Sequence, residues 1–192
     1  RVHAEDEIKL FLGKKSGSTS GPEAFSDLEH IIASGSVRLV QHTKAEGDSP
    51  VKATAEHVIV DVQGAHILLK GGTPSLGVGD NFLRAGAPDL YLRIYQNGSL
   101  FAEPGPWTTN GNLSQSDEAE EKPERHTDYL TVTGEGGLSF DALKGQIVYL
   151  GEIVAEEPRF PLRCDKSMRI SLTSRNRTDA RAPEGPEAFS EV

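Results

Sequence analysis

Six histidines are the first residues that could carry metal or acid–base chemistry: His3, His30, His42, His57, His66 and His126. No two of them stand in an HxH or HExxH spacing, the arrangements that put two imidazoles on one ion. If Gln63-Gly64 is a turn, His66 comes to lie opposite Asp61, with His57 several residues further along. That is a cross-strand polar pair, not a three-ligand set, so no metal site is expected. The single cysteine, Cys164, excludes an intrachain disulfide and a cysteine-rich zinc site. It alternates with Phe160 and Leu162 and reads as a small buried hydrophobe. No basic neighbour on its own face would make it a reactive thiol.

Other catalytic patterns are missing. The chain has no GxSxG, no GxxxxGK[ST] and no GxGxxG. Gly71-Gly72 with Gly77 and Gly79 resembles a phosphate loop only superficially. No helix follows to complete an anion cradle, so these are read as turn glycines. Carboxylates crowd the 117–124 run, where a mobile segment cannot hold tuned pKa values. Trp107, the only tryptophan, is read as an end cap on the last hairpin rather than a ligand contact. No enzyme activity, catalytic residue, cofactor or metal is expected.

The elements around these residues have the period of strands. Twenty glycines and eleven prolines leave few windows where a helix could run. Apolar residues alternate between the breakers: Ala33, Val37 and Leu39; Val58 and Val60; Leu90, Leu92 and Ile94. The series continues with Ile147 and Tyr149, then Met168, Ile170 and Leu172. Short strands at this spacing predict an all-β fold. Asn97-Gly98 predicts a two-residue type I′ hairpin turn. Ile31, Ala33, Val37 and Leu39 are expected to face inward together with Ile147, Tyr149 and Ile153. The net charge of −9 argues against nucleic acid and against docking on an anionic membrane face. No apolar stretch is long enough for a membrane helix.

Repeats add organisation. GPEAFS occurs at Gly21–Ser26 and again at Gly185–Ser190. Gly35-Ser36-Val37 and Gly151-Glu152-Ile153 share a second signature. The chain therefore reads as a slice of a longer tandem protein. Residues 1–27 are taken as the end of a preceding repeat plus linker, and 28–107 as a first half. Residues 108–127 read as an acidic flexible insertion, 128–173 as a second half, and 174–192 as a polar tail towards a next repeat.

Three stretches resemble one known family. They are DLEHIIASGSVRLVQ, ATAEHVIVDVQGAHILLKGGTPSL and GLSFDALKGQIVYLGEIVAEEPRFPLRCDKSMRISL. Together they are similar to the OstA-like domain of the lipopolysaccharide-transport bridge proteins (the LptA family). Gly-Ser-Val and Gly-Glu-Ile stand where that family has Gly-Asn-Val, and Gly72-Thr73-Pro74 supplies its Gly-x-Pro step. The acidic run after Trp107 departs from the pattern. The resemblance implies an open β-jelly roll, a V-shaped stack of antiparallel hairpins with an apolar groove along its inside. It implies a periplasmic protein of the Gram-negative envelope that carries lipopolysaccharide or another acylated lipid. It further implies partners of the same β-jelly-roll kind, joined through edge strands. No catalytic residues are carried over. The groove residues so implied are Ile31, Val37, Leu39, Val58, Val60 and Leu92, with Ile147, Tyr149, Ile153 and Leu162. A β-rich structural or adhesive surface module without lipid cargo shares the strand content and acidity. The two differ in whether an opposing layer of side chains fills the interior.

Overall fold

A computed structural model describes residues 1–14, 25–42, 49–112, 129–158 and 160–172. The 117–124 acidic run, the second GPEAFS copy and the tail beyond residue 172 lie outside the described residues. The described residues contain strands and no helix. In chain order these are β1 (Val2–His3), β2 (Glu7–Lys14), β3 (Phe25–Gln41), β4 (Val51–Asp61), β5 (His66–Lys70) and β6 (Ser75–Val78). Then come β7 (Asn81–Ala85), β8 (Tyr91–Tyr95), β9 (Leu100–Ala102), β10 (Trp107–Asn112) and β11 (Tyr129–Gly134). The last are β12 (Leu138–Asp141), β13 (Gln146–Leu150), β14 (Ile153–Glu157), β15 (Phe160–Cys164) and β16 (Ser167–Ser171).

All pairings are antiparallel and all strands belong to one sheet, which is folded along a crease. The long strands β3 and β4 cross that crease. One end of β4 pairs with β6 and its other end with β5. The first layer then runs β6-β7-β10-β11-β14-β15, and the second runs β5-β8-β9-β12-β13-β16. At the near end β1 pairs with the first-layer part of β3, and β2 with its second-layer part. Residues 2–3 and 7–14 are therefore strands of the same sheet as the rest.

The chain passes from layer to layer at short corners, and glycine marks most of them. Gly35-Ser36, Gly71-Gly72-Thr73, Gly137 and Gly151 all have positive φ. At Gly137 a Cβ would stand 2.6 Å from the carbonyl oxygens of both Ala102 and Glu103. No side chain fits there, which is why two corners can stack. Between Ser34 and Val37 the β3–β4 register slips, so the bend is made by a bulge.

At the far ends of the strands lie hairpin turns. Asp61 Oδ1 accepts from the Gly64 N–H at 2.7 Å. Asp141 Oδ1 accepts from the Leu143 and Lys144 N–H groups, both at 3.1 Å. The backbone bond from Lys144 and its nearby ammonium hold the Asp141 carboxyl below the usual range. Around Asn97-Gly98 the structure departs from the expected turn. Gly98 has φ +81°, but Asn97 is not in the positive region. The Gly98 N–H reaches Tyr95 O at 2.9 Å, and Tyr95 N–H reaches Ser99 O at 2.8 Å. This is a type I turn closed by a glycine bulge, because the Asn97 side chain accepts from Ser99 N–H and fixes the first turn residues in the ordinary α region. Residues 108–112 also differ from expectation. They are strand, pairing with β7 and β11, rather than the start of an insertion.

The core follows the crease. Ala33, Val37, Ala55, Val58, Leu69 and Leu92 are buried beside it, as are Ala85, Ala102, Leu138, Tyr149 and Ile153. Trp107 is 1% exposed among them, and its Nε1–H donates to Glu103 O at 2.8 Å. It is a core residue in the middle of the stack, not an end cap.

Candidate functional site

Strict alternation along each strand turns cross-strand register into rows of side chains. Next to the crease on the second layer, Ile8 faces Ala33, then Val58, Leu69 and Leu92. Ala102, Leu138, Tyr149 and Met168 complete that row. One step outward, Leu10 faces Ile31, then Val60, Ile67 and Ile94. Leu100, Phe140, Ile147 and Ile170 complete the outer row. Every residue of both rows is apolar except for the Tyr149 hydroxyl. The first layer answers with Val2, Leu39, Ala53, Leu76 and Leu83, then Thr109, Val132, Ala155 and Leu162.

Burial separates the two second-layer rows. The crease row is almost wholly buried between its ends, whereas from Ile31 to Ile170 the outer row is only half-buried. The inner wall therefore stays apolar as its exposure rises away from the crease. This produces a continuous apolar rail at the accessible side of the fold.

Eight of the ten sequence-predicted groove residues sit on these inward rows, and the other two stand at corners beside them. Val58, Leu92 and Tyr149 lie in the crease row of the second layer, and Ile31, Val60 and Ile147 in its outer row. Leu39 and Leu162 lie on the first-layer row, Leu162 being 46% exposed at the end of the stack. Val37 and Ile153 flank the corners at Gly35 and Gly151 and are both 1% exposed. Ile67, Ile94, Leu100 and Phe140 stand in the same outer row and are not among those ten. Of these only Ile94 shares a strand and a parity with one of the ten, Leu92; cross-strand register alone places the others in the row.

Among the described residues, Tyr149 on the second layer and Thr109 on the first bring hydroxyls into the apolar rows, and Glu157, buried on β14, shares the inward parity of Ile153 and Ala155. Burial pushes the Tyr149 phenol above its usual value of 10.0, and the Thr109 hydroxyl opposes the shift only in part. Thr109 Oγ1 is itself shielded and has no partner at good hydrogen-bond geometry. A phenol with a raised folded pKa contributes stability that is present below its unfolded pKa. That stability is lost as pH rises through the folded value. In an ultraviolet alkaline titration, one of the four tyrosines should thus ionise late and together with unfolding. Tyr149→Phe should remove that step; a late step surviving the change would assign it elsewhere.

The described histidines and the cysteine make short-range polar contacts. His66 pairs with Asp61 in register, as the turn predicted, with Nδ1 3.8 Å from the carboxylate; His30 Nδ1 lies 3.7 Å away on its other side. His57 Nδ1 meets Ser34 Oγ at 3.2 Å. Among the described residues no three His, Cys, Asp or Glu side chains form a group that could hold a metal ion. Cys164 packs half-buried opposite Ile153, and its Sγ–H donates to Ser167 O at 3.0 Å.

No family model, curated protein or solved structure matches this chain. The folded all-antiparallel sheet and its apolar rail are therefore what define its class.

Proposed function

We propose that the protein carries an acylated lipid along the inside of the folded sheet, as a periplasmic bridge-type lipopolysaccharide-transport domain does. In this reading the sheet is an open β-jelly roll of the OstA-like kind. The observation that supports it is the half-buried outer row from Ile31 to Ile170, apolar on eight successive strand segments. Strands spaced about 4.8 Å apart make that row long enough to follow several acyl chains. Each methylene moved from water onto it gains about 0.8 kcal/mol, so affinity needs no headgroup chemistry. An adhesive or structural module that packed its two layers together would bury the same row.

Native mass spectrometry of the purified protein, with extraction and identification of bound lipid, tests the proposal. An acylated lipid should be retained by the wild type. The double variant Ile67→Glu/Ile94→Glu places two carboxylates on half-buried positions of the rail and should weaken retention about tenfold or more. Its strand content should persist, because neither side chain belongs to the buried crease row. Lipid absent from the wild type in both native spectra and reconstitution with acylated lipid would overturn the proposal, as would equal retention by the double variant.

A further inference from the structure

We infer that the outer face of the first layer binds an anionic saccharide, independently of any cargo inside the fold. The carrying observation is charge segregation. Across β1, the first-layer parts of β3 and β4, and β6, β7, β10 and β11, the side chains opposite the core rows include no carboxylate; on the far side of β11, β14 brings Glu156 to the same face, opposite Thr131. Nearest the crease they run His3, Arg38, Thr54, Ser75, Arg84 and Thr108. Further out, Lys52 faces Gly77, which faces Phe82, which faces Asn110. Arg38, Lys52 and Arg84 thus share one face of a protein whose net charge is −9. A local field of that sign collects small anions, whereas the overall charge repels long polyanions.

The face also has a shaped depression of about 220 Å³, between Lys52, Thr54, Ser75, Phe82 and Arg84. Gly77 forms its floor. This glycine is neither in a turn nor in the left-handed region, so the backbone does not demand it. A Cβ there would meet only Asn81 O at 3.3 Å and Phe82 Cβ at 3.7 Å. A glycine inside a strand with ordinary backbone is one mark of close approach by a ligand or another backbone, and Asn81 O of the same hairpin is the nearest atom here. Beside it the Phe82 ring is 38% exposed, and the Arg84 guanidinium stands 5.9 Å from the ring centroid. The Thr54 and Ser75 hydroxyls touch at 2.7 Å and present further donor and acceptor capacity. An exposed aromatic face, paired hydroxyls and two cations suit a sugar ring bearing a carboxylate or phosphate. A bare ion would not use the ring, and a neutral sugar would not use Lys52 and Arg84.

The test is a titration of the isotope-labelled full chain with trigalacturonate, read from amide shifts of Gly77 and its neighbours. Glucose 6-phosphate is run as the phosphate form of the same chemistry. Maltotriose, inorganic phosphate and a short oligothymidylate are the comparison ligands. Saturable shifts with either anionic sugar are expected, about tenfold weaker in Lys52→Gln/Arg84→Gln and weaker at high salt. Gly77→Val should abolish binding while the melting temperature stays near that of the wild type. No saturable shift with either anionic sugar overturns the inference, and so does binding untouched by these variants. Inorganic phosphate binding as tightly as the sugars would show an adventitious ion only. Tighter binding of the oligonucleotide would show a nucleic-acid face instead. Either result overturns the saccharide assignment.

Discussion

Replacing Val37 by aspartate should strongly destabilise the fold at room temperature and neutral pH. Val37 is 1% exposed and pairs with Ala55, directly after the bulge that turns β3 across the crease. The rows around it hold aliphatic and aromatic side chains, with no cation on the inner face to meet a carboxylate. The new group must stay charged without a partner or bind a proton with a strongly raised pKa. An uncompensated buried charge costs about 3–5 kcal/mol, a large part of the roughly 5–15 kcal/mol by which domains are stable. The sign of the pH effect follows. A carboxyl whose folded pKa is raised destabilises the fold above its unfolded pKa, so mild acidification should partly restore folding. Ser36→Asp is the matched control: Ser36 is exposed with φ +44°, a conformation aspartate tolerates. Circular-dichroism melting of both variants decides the matter. A Val37→Asp protein melting within a few degrees of the wild type would show that this corner is not part of the core.

The inward parity of the strands was legible because alternation is a property of the backbone itself. Val58 and Val60, or Ile147 and Tyr149, cannot share a face without the residues between them taking the other. Asp61 opposite His66 was legible for the same reason, once the turn was placed. What one strand cannot state is its neighbour. Ile67 and Ile94 join Ile31 in one row only because β4, β5 and β8 pair in that order, and no local signal carries that order. Trp107 was misplaced because an aromatic after Pro-Gly-Pro suits an end or a corner equally well, and here it is a corner in mid-stack. The turn at Asn97 was misjudged because its side chain bonds to the Ser99 N–H, which favours a different closure. Alternation also hid a second feature: Ile32, Ile59 and Leu68 are cross-strand neighbours facing outward, so part of the second layer is apolar on both faces. The convergence of Arg38, Lys52 and Arg84 on the outer face of the first layer was equally hidden, since they are far apart in the sequence and meet only in the sheet.

The protein should also associate weakly, end to end, through its outermost strands, and the polarity of those strands sets the geometry. Among the described residues β2 pairs only with β3, and β16 only with β13. The inward residues there are half-buried or exposed, with Ile8 at 49% and Leu10 at 63% at one end and Leu162 at 46% at the other. A head-to-tail joint continues each apolar row, setting Leu10 beside Ile170 and Ile8 beside Met168. Both β2 and β16 start at a corner and run away from the crease, so that joint pairs parallel strands, a somewhat weaker pairing than antiparallel. It also sets Lys9 beside Arg169 on the outer face, a like-charge contact that salt relieves. Association should therefore be slight at low salt and stronger at moderate salt. A two-fold tail-to-tail joint would instead set β16 against β15 of the second copy, antiparallel and closed at a dimer. Sedimentation over a hundredfold range of concentration distinguishes them through two variants. Leu10→Lys blocks the head and Ile170→Lys blocks the tail. Under head-to-tail joining each variant alone stays monomeric, and the equimolar mixture forms a capped heterodimer, because each supplies the end the other lacks. Dimers of Leu10→Lys alone would establish the two-fold joint, and a wild type that stays monomeric throughout would rule out association through either edge.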